Sequence, residues 1–217
     1  MQPICLSFDN GPTPGVTEAV LEVLARRRIP AMFFAVGERL RDPAARKLVE
    51  RARAEGHPVG NHTLTHGAPL GRRGGTEAVH EIQETDALLG PLREPERLFR
   101  PNGGGMLGPH LLNASAAAHL RAGGHTVVLW NAVPRDFADP EGWPETALAI
   151  AGAATAPLLM VLHDLPNGAM RHLDRVLGML ADHGVRFLAE PPAECVPLRA
   201  GRPMPGFAAC VSEDPMP

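Results

Sequence analysis

The sequence predicts an α/β fold, a parallel sheet with helices packed outside it. Three observations carry this. Short apolar, β-prone runs alternate with longer stretches of helical periodicity. The alternation supplies seven strand candidates, the pattern of strand–helix–strand units rather than of hairpins. Gly56, Gly123 and Gly184 fall where the helical patterns stop. The 217 residues are 44% apolar and 21% charged, enough to bury a full core without staples.

The strands are expected at Ile4–Phe8, Ala31–Val36, His57–Gly60, Leu98–Arg100, His125–Trp130, Leu158–Leu162 and Val185–Leu188. Between them helices are expected at Thr13–Arg28, Pro43–Glu55, Thr76–Leu89, Pro109–Ala122, Pro144–Ala154 and Ala169–His183. In the first helix Val16, Val20, Leu21, Val23 and Leu24 form a core stripe, with Thr13 as cap and Pro14 in the first turn. Residues 1–190 read as one domain. The proline-rich segment 191–217 (Pro191, Pro192, Pro197, Pro203, Pro205, Pro215, Pro217) reads as an extended wrap or a partly disordered tail.

Several function classes are disfavoured. Lys plus Arg is 21 and Asp plus Glu is 24, so the formal charge is 21 − 24 = −3, no footprint for nucleic acid. No apolar run is long enough to span a membrane. Met1 leads straight into Pro3-Ile4-Cys5-Leu6-Ser7-Phe8 with no leader pattern, and Cys5, Cys195 and Cys210 form no disulfide framework or CxxC knuckle. These features together predict a cytoplasmic setting. Gly11-Pro12 after the first strand is a single turn, not a phosphate cradle.

The informative pattern is where strands end. Strand one ends at Asp9-Asn10-Gly11 and strand three runs into His62 and His66. Strand four ends at Arg100-Pro101, strand five at Trp130-Asn131 before Arg135-Asp136, and strand six at His163-Asp164. Carboxyl ends of parallel strands share one face, where chemistry sits. Asp9, His62, His66, Arg100, Asp136 and His163 should therefore converge. His62 and His66 are spaced i, i+4, and on a helical turn both rings would face one way, as a metal pair requires. Imidazole with oxygen donors suits Zn, Co, Ni or Fe better than Ca or Mg. Each residue also has a plainer reading. Asp9 can cap the turn before Pro12, Asn10 can be a turn residue at positive φ, and the histidines can be hydrogen-bonded loop residues. Arg100 can be a surface pair with Asp136 or Glu96. Cys5 reads as a small buried apolar residue.

In this order the residues resemble the polysaccharide deacetylases of carbohydrate esterase family 4, the NodB-homology domain. Its five motifs match Ser7-Phe8-Asp9-Asn10-Gly11-Pro12, His62-Thr63-Leu64-Thr65-His66, Arg100-Pro101-Asn102-Gly103-Gly104, Asp136-Phe137 and Leu162-His163-Asp164, over roughly residues 3 to 190. The resemblance implies an incomplete (β/α)7 barrel. It implies a divalent metal, zinc foremost with cobalt or nickel as alternatives, held by His62, His66 and Asn10. It makes Asp9 the general base on water, His163 the acid for the leaving amine, and Arg100 and Asp136 the groups that orient them. Pro101, Gly103, Trp130 and Leu162 would bind substrate.

The chain departs from the family pattern in three places. Asn10 stands where the family has an anionic ligand, so the metal should be weakly held. Gly103 stands where it has an aromatic ring, and Phe137 where it has Trp; there is no Tyr at all. The expected function is a metal-dependent hydrolase that removes an acyl group, acetyl foremost, from an N-acylated amino sugar or related small amide. A metal-independent C–N hydrolase of the same fold and a non-catalytic ligand-binding relative are the alternatives.

Overall fold

The computed structural model describes residues 1–212; Pro215 and Pro217 lie outside the described residues. The chain opens with β1 (Ile4–Asp9), α1 (Thr17–Arg27), β2 (Ala31–Ala35), α2 (Pro43–Ala54), β3 (Val59–Asn61) and α3 (Gly75–Leu89). It continues through β4 (Leu98–Phe99), β5 (Leu112–Asn113), α4 (Ala114–Ala122), β6 (Thr126–Val127), α5 (Trp143–Ala153) and β7 (Leu158–His163). It closes with α6 (Leu173–Asp182), β8 (Phe187–Leu188), β9 (Leu198–Arg199), β10 (Arg202–Pro203) and β11 (Val211–Ser212).

The main sheet is parallel from β6 through β4, β3, β2 and β1 to β7. β8 also pairs β1, at Ile4 and Cys5, before β2 takes up its pairing at Leu6. One bridge, Ala132 to Met160, links the stretch after β6 to β7. The result is the expected incomplete α/β barrel. Period-two alternation along β1 sorts its side chains. Ile4, Leu6 and Phe8 enter the core shared with α1, α2, α5 and α6. Cys5 enters the second core, with Met32, Phe34, Ile82 and Leu120. At about 1.5–3 kcal/mol for each large apolar side chain buried, these two cores hold the layers together.

Several boundaries differ from expectation, each for a local reason. Helix α1 starts at Thr17, not Thr13. Thr13 is the corner of a preceding turn: its carbonyl accepts from the amides of Val16 and Thr17, and its own N–H donates to Thr17 Oγ1 at 2.7 Å. Val16 is the residue before the helix, and no side chain caps it. The Pro109–Ala122 pattern opens as one 3-10 turn and β5 before α4, because Asn113 Oδ1 caps α4 by accepting from Ala116 N at 2.8 Å. The expected strand at His125–Trp130 shortens to β6 because its backbone serves three neighbours in turn. Val128 N donates to Phe99 O, Leu129 N to Cys195 O, and Ala132 N to Leu159 O.

The described part of the proline-rich segment packs on the sheet. β9 runs antiparallel to β6, with Val127 opposite Leu198, and β10 folds back on β9. β11 pairs β5. Cys195, Leu198, Phe207 and Cys210 are buried in the second core. No helix among the described residues is long and apolar enough to cross a membrane.

Candidate active site

Asp9 is the last residue of β1 and is 3% exposed. By alternation it shares a face with Ser7, inside the barrel. Arg100, fully buried just after β4, reaches both: Nη1 donates to Asp9 Oδ1 and to Ser7 Oγ, each at 2.7 Å. The guanidinium is fixed further by Val128 O, by Leu129 O and by the face of Phe34, 4.0 Å away. Burial alone would raise the Asp9 pKa, but Arg100, His62 and His163 hold the carboxyl below its usual range. Arg100 is thus an interior residue, not a surface partner of Asp136 or Glu96.

His62 follows β3. Its Nδ1 lies 2.9 Å from the carbonyl of Arg100. A carbonyl only accepts, so Nδ1 carries the proton and Nε2 keeps its lone pair. Nε2 sits 3.6 Å from Asp9 Oδ2. The rings of His62 and His66 lie 4.9 Å apart, tilted at 52°. No helical turn brings them together, contrary to the expectation from their spacing. A non-helical turn does so, with Thr63 at φ 65° and His66 at φ 51°. Burial pushes His62 down to about 4 and lowers His66, so both rings are neutral donors at neutral pH.

Asn10 takes φ 71°, a left-handed conformation that Asn tolerates. Its Oδ1 is buried and has no hydrogen-bond partner. An orphaned amide oxygen beside two neutral imidazoles fits a divalent cation. Among the described residues no three His, Cys, Asp or Glu are grouped to hold an ion.

His163 ends β7, next to β1, with Asp9 paired to it in register. Asp136, fully buried, accepts from His163 Nδ1 at 2.9 Å and from His163 N at 2.7 Å. The other ring nitrogen is left for the cleft. Burial would lower this imidazole's pKa, but the bond and charge of Asp136 raise it above its ordinary value. Phe137 packs edge-on to the His163 ring at 5.0 Å.

These side chains open into one cleft of about 320 Å³. Asp9, Asn10, His62, His66 and His163 line it, with Pro101, Gly103 and Trp130; Arg100 and Asp136 stand behind Asp9 and His163. Leu162 lies in the core layer behind the sheet, because alternation along β7 turns Val161 and His163 to the cleft instead. Gly103 leaves no room for a side chain. A Cβ there would meet Leu111 at 2.5 Å, the carbonyl of Met106 at 2.9 Å and the Trp130 ring at 3.0 Å. The aromatic wall comes from Trp130 instead.

Sequence reading missed three contributors. Glu81 anchors the His62–His66 turn; an acid among the core positions Ala78, Ile82 and Thr85 of α3 was the available signal. Ser7 completes the Arg100 contacts. Asp164, 1% exposed, receives the Thr17 hydroxyl and lies against Gly11, where any Cβ would collide with its carboxyl.

A barrel with an arginine-paired carboxylate, an aspartate-paired imidazole and two further imidazoles at the carboxyl ends of its strands has the groups that hydrolysis of an amide or ester needs. Comparison narrows the class. Residues 1–126 match the polysaccharide deacetylase family model. A chitooligosaccharide deacetylase of Rhizobium leguminosarum bv. trifolii is 36% identical over 74% of this chain and 71% of its own. A peptidoglycan-N-acetylglucosamine deacetylase of Bacillus cereus is 32% identical over 85% of this chain and 84% of its own. The acetyl xylan esterase of Clostridium thermocellum, solved with a cobalt ion, shares the fold at a TM-score of 0.70 and 21% identity, over 86% of this chain and 87% of that one. The chain belongs to the polysaccharide deacetylase family and is a hydrolase of that family.

Proposed function

We propose that this chain removes the acetyl group from an N-acetylated amino sugar, or from a related small N-acyl amine, with the help of a divalent metal. One observation carries the reading. Two oriented pairs, Arg100 on Asp9 and Asp136 on His163, face the same cleft from adjacent strands, β1 and β7. The named activities of the two curated relatives point the same way.

Hydrolysis adds water across the C–N bond. Asp9, kept ionised, takes a proton from the attacking water as its oxygen bonds to the acyl carbon. His163, kept protonated, gives a proton to nitrogen as the C–N bond breaks, releasing acetate and the free amine. His62, His66 and Asn10 would hold the metal, zinc foremost with cobalt or nickel as alternatives. A bound cation would supply Lewis-acid stabilisation of the developing oxyanion. With an amide in place of a carboxylate the site is one negative charge short, and a metal would be weakly held.

The test is acetate release from N-acetylated oligosaccharides and monosaccharide N-acetyl amines, with and without added Zn2+, Co2+ or Ni2+, beside calorimetric titration of Zn2+. Metal-stimulated acetate release is expected. Asn10→Asp is expected to tighten Zn2+ binding at least about tenfold, about 1.4 kcal/mol. No acetate from any substrate with any of the three metals would overturn the reading, and equal Zn2+ affinity of the two proteins would remove Asn10 from the ligand set.

A further inference from the structure

We infer that Glu81 is a positioning residue: from α3 it clamps the turn that carries His62 and His66 and so sets the geometry of that pair. Within the turn His66 N donates to Thr63 Oγ1 at 3.2 Å, but its backbone is strained. Thr63 is β-branched and at φ 65°, and His66 is at φ 51°, conformations that L residues keep only where the surroundings impose them.

The imposing groups come from outside the turn. Glu81 is 3% exposed, yet it stands on the core-facing side of α3. Its Oε2 accepts from the amides of Leu64 at 2.8 Å and Thr65 at 2.9 Å, and its Oε1 accepts from Thr65 Oγ1 at 2.7 Å. Arg73 balances the buried charge from 3.3 Å and also donates to Thr65 Oγ1. A buried carboxylate is costly unless it is paired and hydrogen-bonded, and here its hydrogen bonds go to the middle of the turn.

The start of the turn is fixed from the same helix. Asp86 Oδ1 accepts from Asn61 Nδ2 at 2.9 Å, and Asn61 Oδ1 accepts from Thr63 N at 2.9 Å. Two buried acids of one helix therefore hold the turn on both sides of His62. Neither lines the cleft. Groups that orient metal-binding histidines from behind are worth about 10–100-fold in affinity or activity.

This inference rests on the reading of His62 and His66 as a ligand pair, so the experiment has one arm that does not use metal. Glu81→Gln and Glu81→Ala are compared with the parent by Zn2+ titration, by steady-state kinetics and by amide hydrogen exchange of the metal-free protein. The expected order of Zn2+ affinity is parent, Gln, Ala, with Ala about 10–100-fold weaker. The turnover number falls while KM for the oligosaccharide holds, since Glu81 does not line the cleft. In the metal-free variants the amides of Leu64 and Thr65 lose protection while those of α1 keep theirs, a split that general loosening of the fold would not give. If Glu81→Ala fails to fold, Glu81→Gln carries the test. Unchanged Zn2+ affinity in a folded variant overturns the clamp. If the parent itself binds no metal, the ligand reading falls, and unchanged exchange at Leu64 and Thr65 then overturns the clamp as well.

Discussion

Asp9 and His163 are one strand apart and are given opposite protonation states by their neighbours. The arginine at Asp9 favours the carboxylate, and the carboxylate of Asp136 favours the imidazolium. The working pH range follows. On the acid side kcat/KM is expected to fall near pH 4, where His62 takes up a proton and would no longer offer a lone pair to a cation. On the alkaline side it falls only above the ordinary histidine value of about 6.5, because the raised pKa keeps His163 protonated longer. Asp136→Asn removes that support and moves the alkaline limb to lower pH. His163→Ala slows amides far more than activated aryl esters, since a phenolate leaves without a proton and an amine does not. The pH profile of kcat/KM with both substrate types checks each statement; equal loss on ester and amide would remove His163 as the acid.

Asp164, next along the chain, is a different case. Burial lifts its pKa from 3.8 to about 6, although the Thr17 hydroxyl opposes this. A carboxyl whose pKa is raised on folding stabilises the protein fully below its unfolded value, and that stability is lost as pH rises through the folded value. The gap between 3.8 and about 6 corresponds to roughly 3 kcal/mol. Asp164→Asn is expected to flatten the dependence of stability on pH between about 4 and 6, read from urea unfolding at several pH values. An unchanged slope in that interval would show that Asp164 does not titrate abnormally.

At the scale of elements, the strand ends were legible and the turns were not. Asp9, His62, Arg100 and His163 could be placed together because parallel strands share a carboxyl face. The conformation of the His62–His66 turn could not, because it depends on Glu81 and Asn61, which are remote from it or act through side-chain bonds. Leu162 shows a rule within reach: once His163 is turned to the cleft, a period of two sends Leu162 behind. Gly103 shows the converse. In sequence it reads as a missing aromatic wall, yet Trp130 fills that wall from the stretch after β6. Gly103→Tyr is therefore expected to lower kcat/KM rather than restore a family feature, because the new side chain must displace Leu111 or Trp130. Assay of the variant on an N-acetylated oligosaccharide decides it, and a gain in kcat/KM would mean that the loop after β4 opens to admit the ring.

At the scale of the whole molecule the barrel is held at its open side by the last described segment. β6 has only two residues, and its outer edge is covered by β9. Leu129, just beyond it, bonds to Cys195 O at 2.7 Å. The carbonyls of Val128 and Leu129 are also those that hold the Arg100 guanidinium. The segment after Pro192 is thus tied to Asp9, the proposed base, through three links: the Cys195 bond, the Val128–Leu129 backbone and Arg100. Ending the chain at Pro192 would remove Leu198 and Phe207, both buried, and uncover the second core they belong to, at a cost of about 3–6 kcal/mol for two large side chains. A domain with about 5–15 kcal/mol in all would be left marginal. The truncated protein is expected to unfold at a clearly lower urea midpoint. Where it still folds, it should lose turnover more than substrate binding, because Arg100 and with it Asp9 are less well oriented. A truncated protein with the parent's midpoint and kcat would show that the barrel edge and the Arg100 carbonyls need no support from the C-terminal strands.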